Sequence, residues 1–208
     1  GYVDNPLVEV AAICDIDEAR LDFIGDKYGI TRRFTHIGRL LLEKDIAAVD
    51  VCLHNNLHAP VSIAAMEAGK DVYCEKPMTL RFQGAVDLHN VANANPDLIC
   101  QIGTQKMALP SYLKATEMIK KGLIGQPTCG QTSYCRNTPS GEWNYYFVDP
   151  KWTTKDVDWP SWCGPAGQTD FDPYVLNRWR RYRKFSTGII GDLLVHVMTP
   201  MMMAVDQG

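Results

Sequence analysis

The chain has 208 residues, enough for one large domain or one and a half smaller ones with a sizeable core. Its formal net charge of -3 at pH 7 leaves no basic field to hold a phosphate backbone, which argues against nucleic acid as a partner. The sequence has no apolar run that reaches the roughly 18 residues of a membrane-spanning helix. A membrane-embedded protein is therefore not expected.

Seven cysteines are scattered along the chain, and none of them forms a C-x-x-C pair. Cys14, Cys52, Cys74 and Cys100 lie in apolar, strand-like runs, so we predict that the cysteines are reduced core residues. This pattern argues against a disulfide scaffold and against a zinc site. It favours a reducing compartment such as the cytoplasm.

The first half of the sequence alternates short apolar runs with segments of helical periodicity. Residues 8–14, 33–34, 47–53, 71–74 and 98–102 are predicted as strands, and residues 17–28, 37–42, 58–68, 81–91 and 110–121 as helices. Several of the strand runs are continuously apolar, which is typical of strands buried on both faces. The pattern predicts an α/β fold with a doubly wound, Rossmann-type parallel sheet.

The character of the sequence changes after Gly125. Residues 128–136 alternate like a strand with one exposed face, and residues 137–185 are rich in Trp, Tyr, Pro, Gly and Asn. Such a composition is typical of long functional loops. Residues 191–205 again have a helical pattern. We predict one domain over residues 1–124 and part of an α+β domain over residues 125–208.

Four stretches of the sequence carry a family resemblance: VEVAAICDID, NNLHAPVSIAAMEAGKDVYCEKPMTL, QIGTQ and GDLLVHVMTP. In this order they resemble the Gfo/Idh/MocA (glucose-fructose oxidoreductase / inositol dehydrogenase) family. The stretch VDWPSWCGPAG is similar to the D-W-x-x-W-x-G-P-A segment of a large bacterial branch of that family. The resemblance implies a dinucleotide-binding domain followed by a substrate domain. It also implies hydride transfer between a nicotinamide cofactor and a sugar, inositol or related polyol.

The family pattern also contains segments that this sequence does not show. Family members begin with a strand and a G-x-G-x-x-G turn, whose following helix holds the cofactor pyrophosphate at its N-terminus. The resemblance therefore implies a fragment, truncated at the start of the dinucleotide-binding domain and again within the substrate domain. We expect weak NAD binding by this stretch alone, and a homo-oligomer for the full-length protein.

Asp15 ends the first predicted strand, where a carboxylate can accept hydrogen bonds from both ribose hydroxyls of the adenosine and repel a 2′-phosphate. The family places its ribose-binding acid here. Ile16 is taken as a second cofactor contact at this strand end, and it adds no basic residue for a phosphate, so NAD is expected rather than NADP. The alternative is a capping role, because Asp15 or Asp17 can cap the next helix.

The turn after the third predicted strand is the second candidate cofactor contact. The family usually has T-P-N-x-x-H at the place of Leu53 to His58, and we take Asn56 and His58 as its counterparts, while His54 and Asn55 depart from it. In a doubly wound sheet, ligands bind outside the carboxyl ends of the strands, so His54, Asn56 and His58 are predicted to line the cofactor crevice. Turn formation and helix capping are the alternative roles.

Glu75-Lys76-Pro77 stands at the end of the fourth predicted strand, where two charges are costly unless they pair or meet a ligand. In the family the lysine reaches the reacting oxygen of the substrate, the glutamate helps anchor the nicotinamide-ribose side, and the lysine–proline bond is often cis. The resemblance therefore makes Lys76 catalytic and places Glu75 and Lys76 at the cofactor. The alternative is a surface ion pair that opens a turn.

Asp192 and His196 lie four residues apart, so a helix projects them from the same face. The pattern resembles the second catalytic cluster of the family, in which the carboxylate orients the imidazole and tunes it as a general base. The alternative is an acidic residue near a helix start plus a satisfied core histidine. Thr104 and Gln105 are expected to support the crevice without a chemical step.

The basic run at residues 178–184 is by default solvated or faces another subunit, although an arginine in it can hold a substrate hydroxyl or carboxylate. Two other functions use the same fold. An NAD-dependent glycoside hydrolase is the nearer alternative, but the glycine- and histidine-rich motif of those relatives is not found. A non-catalytic protein that binds a nucleotide or sugar is the other.

Overall fold

Strands and helices alternate through the first half of the chain. The structure is a computed structural model, and it describes residues 1–205, so the last three residues of the predicted second domain lie outside the described part. The strands are β1 (Ile13–Cys14), β2 (Arg33–Phe34), β3 (Ala48–Val51), β4 (Asp71–Glu75) and β5 (Cys100–Gly103). The helices between and after them are α1 (Glu18–Tyr28), α2 (Ile37–Leu40), α3 (Asn55–Glu67), α4 (Phe82–Ala94) and α5 (Pro110–Lys120).

All strand pairs are parallel, as the sequence predicts. β1 pairs with β2 through Ile13 opposite Arg33, and a second sheet has the order β3-β4-β5. The second sheet and its helices bury the main core, in which Val51, Ala65, Cys74 and Leu88 are at most 1% exposed. This arrangement confirms the Rossmann-type α/β class. β1 is shorter than predicted because β2 offers only two residues for pairing.

Local signals in the sequence set the ends of the helices. The Asp17 carboxylate caps α1 by accepting a hydrogen bond of 3.0 Å from the Arg20 amide. Gly29 ends the helix in the left-handed conformation, at φ 69°. Since Asp17 serves as the cap, Asp15 is not needed for that role. α3 begins at Asn55, three residues earlier than predicted. Residues 55–57, which were predicted as part of the turn after β3, therefore belong to the helix.

The second half of the chain contains helices and loops. The predicted strand at residues 128–136 is wrong, and no strand lies between residues 125 and 205. A strand needs a neighbouring strand to pair its backbone hydrogen-bonding groups, and residues 125–205 contain no second strand that could do so. Short helices α6 (Trp159–Cys163) and α7 (Pro173–Asn177) are followed by α8 (Val195–Val205), which packs against α5.

Two features of this half position the site. A group of buried residues, here called the aromatic cluster, consists of Trp159, Trp162, Cys163 and Phe185. A π-helical segment, Ile190–Leu194, leads directly into α8. The predicted helix at 191–205 is thus present, but its first turn is wider than an α-helical turn. Segments of π-helix are often associated with functional sites.

The cysteines are all unpaired, as predicted, but three of the seven lie outside the core. Cys74 and Cys163 are buried, whereas Cys52, Cys129 and Cys135 are exposed. The prediction that they are core residues is therefore wrong for these three. Cys52 lies just after β3, where the sheet no longer covers it. Within residues 1–205 no helix is both long and apolar enough to cross a membrane.

Candidate active site

Lys76 is held at the end of β4 by a residue from the far end of the chain. The expected cis bond between Lys76 and Pro77 is present. The Lys76 ammonium donates a hydrogen bond of 2.6 Å to the backbone carbonyl of Asp192 and lies 3.5 Å from the carboxylate of that residue. Only 15% of the Lys76 side chain is exposed. The ammonium is thus fixed in place and largely shielded from water.

Asp192 lies between two cations. Its side chain is only 4% exposed, and its second oxygen is 3.5 Å from Nε of Arg180. A buried carboxylate is costly unless it is paired, and Lys76 and Arg180 together provide that pairing. Asp192 also lies in the first turn of the π-helical segment, so the alternative role of a helix-start acid is compatible with these contacts.

Arg180 is the site residue that sequence reasoning missed. Its guanidinium stacks on Trp179, with 4.2 Å between the guanidinium carbon and the ring centroid. The basic run at 178–184 was expected to be solvated by default, but in the structure this arginine turns inward to Asp192. The neighbouring tryptophan is the one signal in the sequence that favours this, because arginine stacks well on aromatic rings.

His196 has the properties of a proton acceptor. The residue is 8% exposed, and its buried Nδ1 has no hydrogen-bond partner. Burial, followed by the positive charges of Lys76 and Lys106, lowers the pKa of His196, while Asp192 and Glu75 oppose the shift. The imidazole is therefore neutral near neutral pH, as a general base must be. Lys106 adopts a φ of 75°, which is uncommon for lysine.

The expected pairing of Asp192 with His196 requires correction. The Asp192 carboxylate contacts Lys76 and Arg180, and Nδ1 of His196 is left without a partner. Asp192 lies in the π-helical segment, whereas His196 lies in α8. The carboxylate is turned toward Lys76 and Arg180, so the four-residue spacing does not produce a hydrogen bond to Nδ1. Asp192 therefore acts on His196 through its charge and not through a hydrogen bond to Nδ1.

His58 links the ends of two strands. Its ring nitrogens lie 2.6 Å from the carbonyl oxygen of Pro77 and 2.9 Å from that of Leu53. His58 is 1% exposed, so it does not face an open crevice. It instead joins the turn after β3 to the turn that carries Lys76. We predicted that His58 contacts the cofactor directly, but its contacts instead position the turn that carries Lys76.

The two asparagines of the α3 start also have protein partners. Asn56 donates a hydrogen bond of 2.7 Å to the Cys163 carbonyl, and Asn55 donates one of 3.3 Å to the Thr187 hydroxyl. In T-P-N-x-x-H the asparagine precedes the histidine by three residues, which is the place of Asn55 and corrects our choice of Asn56. These bonds join the start of α3 to α6 and to Thr187 in the second half of the chain.

His54 and Ile16 pack against the aromatic cluster. The His54 ring stacks on Trp162 with 4.4 Å between centroids and an interplanar angle of 13°. Burial lowers the pKa of His54 to about 4, so the ring is neutral at pH 7. Ile16 contacts the same cluster. Both were predicted to contact the cofactor, but α6, which carries Trp162, covers His54 and leaves it 6% exposed.

Asp15 stays accessible at the carboxyl end of β1. One oxygen accepts a hydrogen bond of 3.0 Å from the Asp17 amide, the other lies 3.7 Å from Arg20, and 32% of the side chain is exposed. Arg20 places a basic group beside Asp15, but it also lies 3.5 Å from Asp17 and is thus shared between two carboxylates.

These residues fit a nicotinamide dinucleotide at one edge of the fold. Asp15, the turn after β3, and Glu75 with Lys76 all follow the carboxyl ends of parallel strands, where doubly wound sheets bind such ligands. Asp15 offers an acceptor for ribose hydroxyls, and Glu75 and Lys76 are both partly exposed. The fold and this edge together define a dinucleotide-binding protein of the Rossmann type.

Comparison with known proteins identifies the family. Residues 2–104 match the sequence profile of the Gfo/Idh/MocA family, described as an oxidoreductase family with an NAD-binding Rossmann fold. The chain belongs to this family, with the matched part extending from Tyr2 to just past β5. The resemblance inferred from the sequence is thereby confirmed.

Individual relatives agree with this placement. The inositol 2-dehydrogenase of Salmonella typhimurium is 36% identical over 124 residues, which are 58% of this chain and 36% of the relative. The structure of myo-inositol 2-dehydrogenase from Lactobacillus plantarum matches with a TM-score of 0.55 at 27% identity, over 60% of this chain and 37% of that one.

A third protein matches over more of the chain. An oxidoreductase domain protein from Kribbella flavida covers 96% of this chain and 46% of its own, with a TM-score of 0.64. At 20% identity this likeness shows the fold alone. The matches span between 36% and 46% of the length of these three proteins.

Proposed function

We propose that the whole protein is an NAD-dependent oxidoreductase that acts on a CH–OH group of a polyol such as an inositol, or of a sugar. The observation that carries this proposal is the junction of Lys76, Asp192 and the neutral His196 beside the strand ends. The inositol 2-dehydrogenase of Salmonella typhimurium, 36% identical over the matched part, supports the substrate class.

The chain's own residues account for proton transfer and charge stabilisation. His196, whose pKa is lowered by burial and by Lys76, accepts the proton of the substrate hydroxyl. The Lys76 ammonium donates to the same oxygen and stabilises the negative charge that develops there. Asp192 and Arg180 keep Lys76 in place through a buried ion-pair network. A bound nicotinamide ring supplies the hydride acceptor.

The same edge would hold the cofactor. Asp15 accepts from the adenosine ribose, which favours NAD over NADP because its charge repels a 2′-phosphate. Glu75 and Lys76 lie on the nicotinamide side. His54, Asn56 and Ile16 shape the crevice from behind through their contacts with residues of the second half, and His58 does so by joining the carbonyls of Leu53 and Pro77.

The broader organisation follows from the same arguments. We infer a dinucleotide-binding domain over residues 1–124 and the start of a substrate domain from residue 125, and a homo-oligomer for the whole protein. The unpaired cysteines support a reducing compartment such as the cytoplasm.

A substrate panel with the whole protein tests the proposal. We expect NADH to accumulate, as absorbance at 340 nm, when NAD is supplied with myo-inositol or a free sugar. A p-nitrophenyl glycoside provides the contrasting substrate. Release of p-nitrophenol without net NADH would instead identify a glycoside hydrolase, and binding of NAD without turnover of any polyol would indicate a non-catalytic relative.

A further inference from the structure

Aromatic rings hold Arg180 at the edge of the proposed site. The residue lies in a short 3₁₀-helical turn, Trp179–Arg181. Its guanidinium carbon is 4.2 Å from the ring centroid of Trp179 and 5.9 Å from that of Tyr146. Trp179 itself packs against the aromatic cluster, and its ring meets the His54 ring edge-on at 5.8 Å. These rings fix the direction in which the guanidinium points.

The Asp192 carboxylate is shared evenly between two cations. One oxygen lies 3.5 Å from Nζ of Lys76, and the other lies 3.5 Å from Nε of Arg180. The side chain is only 4% exposed, so water screens neither interaction well. The shortest contact of Lys76 is instead with the uncharged backbone carbonyl of Asp192, at 2.6 Å. The carboxylate is therefore not reserved for Lys76.

The charges around His196 do not cancel when Arg180 is included. Lys76 and Lys106 act on the imidazole as cations, and Asp192 and Glu75 act on it as anions. These four charges balance one another. Arg180 joins the group through its contact with Asp192 and adds one more positive charge. The surplus positive charge of the site therefore depends on Arg180.

We propose that Arg180 is a positioning residue that takes up the charge of Asp192, so that the positive charge of Lys76 remains available to the substrate oxygen. This inference rests on the proposed function, and it gives Arg180 a part beyond holding Lys76 in place. A carboxylate paired with Lys76 alone would cancel the field of the ammonium where the oxyanion develops. Arginine suits this part because a guanidinium stays protonated at any working pH and stacks on aromatic rings.

Arg180→Gln in the whole protein removes the charge and keeps a polar side chain. We expect kcat for myo-inositol to fall about 10- to 30-fold, with the KM for NAD within about twofold. Arg180→Lys keeps the charge, so its kcat should stay within about threefold of the unaltered protein. Arg178→Gln is the matched control and should change neither value. Arg178 also contacts a ring, that of Tyr174 at 5.5 Å, and a carbonyl, that of Tyr146 at 3.0 Å, but pairs with no carboxylate among residues 1–205.

A double variant separates the charge of Arg180 from a purely structural role. Adding Asp192→Asn to Arg180→Gln removes the carboxylate that would cancel Lys76, so kcat should equal or exceed that of Arg180→Gln alone. The double variant should also match Asp192→Asn alone within about threefold, a comparison that stands even if Arg180→Gln does not fold. If Arg180 only supported the fold, the second substitution would lower kcat further. A double variant slower than both single variants would overturn the inference.

NMR titration of His196 measures the same charge without turnover. The imidazole is protonated more easily once a positive charge is lost, so the pKa of His196 should rise by roughly half a unit in Arg180→Gln. It should stay unchanged in Arg180→Lys and Arg178→Gln. In the double variant it should return toward the unaltered value, because Asp192 raises the pKa of His196.

This titration also separates the inference from the proposed function. If the unaltered protein forms no NADH, the proposed function fails, while this pattern of shifts still supports the charge balance assigned to Arg180. The same pKa of His196 in Arg180→Gln as in the unaltered protein would overturn that balance, whatever the turnover.

Discussion

The ammonium of Lys76 is hydrogen-bonded to the backbone carbonyl of Asp192 at 2.6 Å, although the two residues are 116 positions apart in the sequence. The carboxylate of Asp192 lies 3.5 Å from the same ammonium. Lys76 is thus fixed by backbone and side chain of one residue. This contact places the end of β4 against the π-helical segment and brings the two halves of the proposed site together.

Replacing Lys76 should remove most of the turnover. In Lys76→Ala no ammonium stabilises the developing oxyanion, and we expect kcat for myo-inositol to fall about 100- to 1,000-fold. Lys114→Ala, at an exposed ion pair of α5, is the control and should leave kcat unchanged. The measurement is the initial rate of NADH formation. Equal rates in Lys76→Ala and the unaltered protein would rule out a catalytic lysine.

The pH profile should report on His196. A general base works only when it is deprotonated, and the pKa of His196 is lowered, so kcat/KM should fall only below pH 6.5, the ordinary value for histidine. Asp192 opposes that lowering, so Asp192→Asn should move the acid limb to lower pH. It should also reduce the plateau, because Lys76 and Arg180 lose their shared carboxylate.

Asp87→Asn, at an exposed carboxylate of α4, should not shift the acid limb. A shift of the acid limb to higher pH in Asp192→Asn would contradict the expectation that Asp192 raises the pKa of His196. His196→Asn should abolish the limb together with most of the activity.

His54 should make the fold less stable in acid. Burial lowers its pKa from 6.5 to about 4, so its contribution is complete above pH 6.5 and is lost as the pH falls to about 4. The unfolded chain binds a proton in this window and the folded chain does not, which costs on the order of 3 kcal/mol of unfolding free energy across it.

In His54→Phe the ring can still stack on Trp162 but no longer titrates, so part of this acid sensitivity should disappear. Urea unfolding at pH 7 and pH 5 measures the difference. His89→Gln is the control at an exposed histidine and should retain the full pH dependence. The same loss of stability in His54→Phe as in the unaltered protein would show that other groups carry it.

Asp15 should control the choice of cofactor. Asp15→Asn keeps an oxygen that can accept from the Asp17 amide but removes the charge. We expect the KM for NAD to rise about tenfold, equivalent to about 1.4 kcal/mol, and the preference for NAD over NADP to shrink. Asp22→Asn, at an exposed partner of Arg33, should change neither value. An unchanged preference in Asp15→Asn would exclude the ribose contact.

Motifs tied to strand ends were the predictable part of the site. Asp15, Glu75 and Lys76 each follow or end a strand that the apolar runs located, and the parallel topology places all of them at one edge. The cysteines and residues 128–136 show the limit of the same reasoning. Whether Cys52 is covered, and whether residues 128–136 pair as a strand, depends on which other segments lie next to them. An apolar run in the sequence does not say which segments those are.

The turn after β3 shows why a motif does not determine a contact. Its histidines were placed correctly at the strand end, but Trp162 covers His54, and the carbonyls of Leu53 and Pro77 face His58. The covering ring belongs to α6, more than a hundred positions away in the sequence. Local sequence cannot state where such a distant helix packs.

The sequence by itself determined the Rossmann-type alternation, the family and the residues of Glu75-Lys76-Pro77, because these depend on periodicity and on contiguous motifs. Only the tertiary structure decided that Asp192 turns to Lys76 and Arg180 instead of bonding to Nδ1 of His196, and that Trp162 covers His54. The burial of a side chain, its pairing and its pKa all depend on the residues that surround it. Those surroundings exist only once distant parts of the chain pack together.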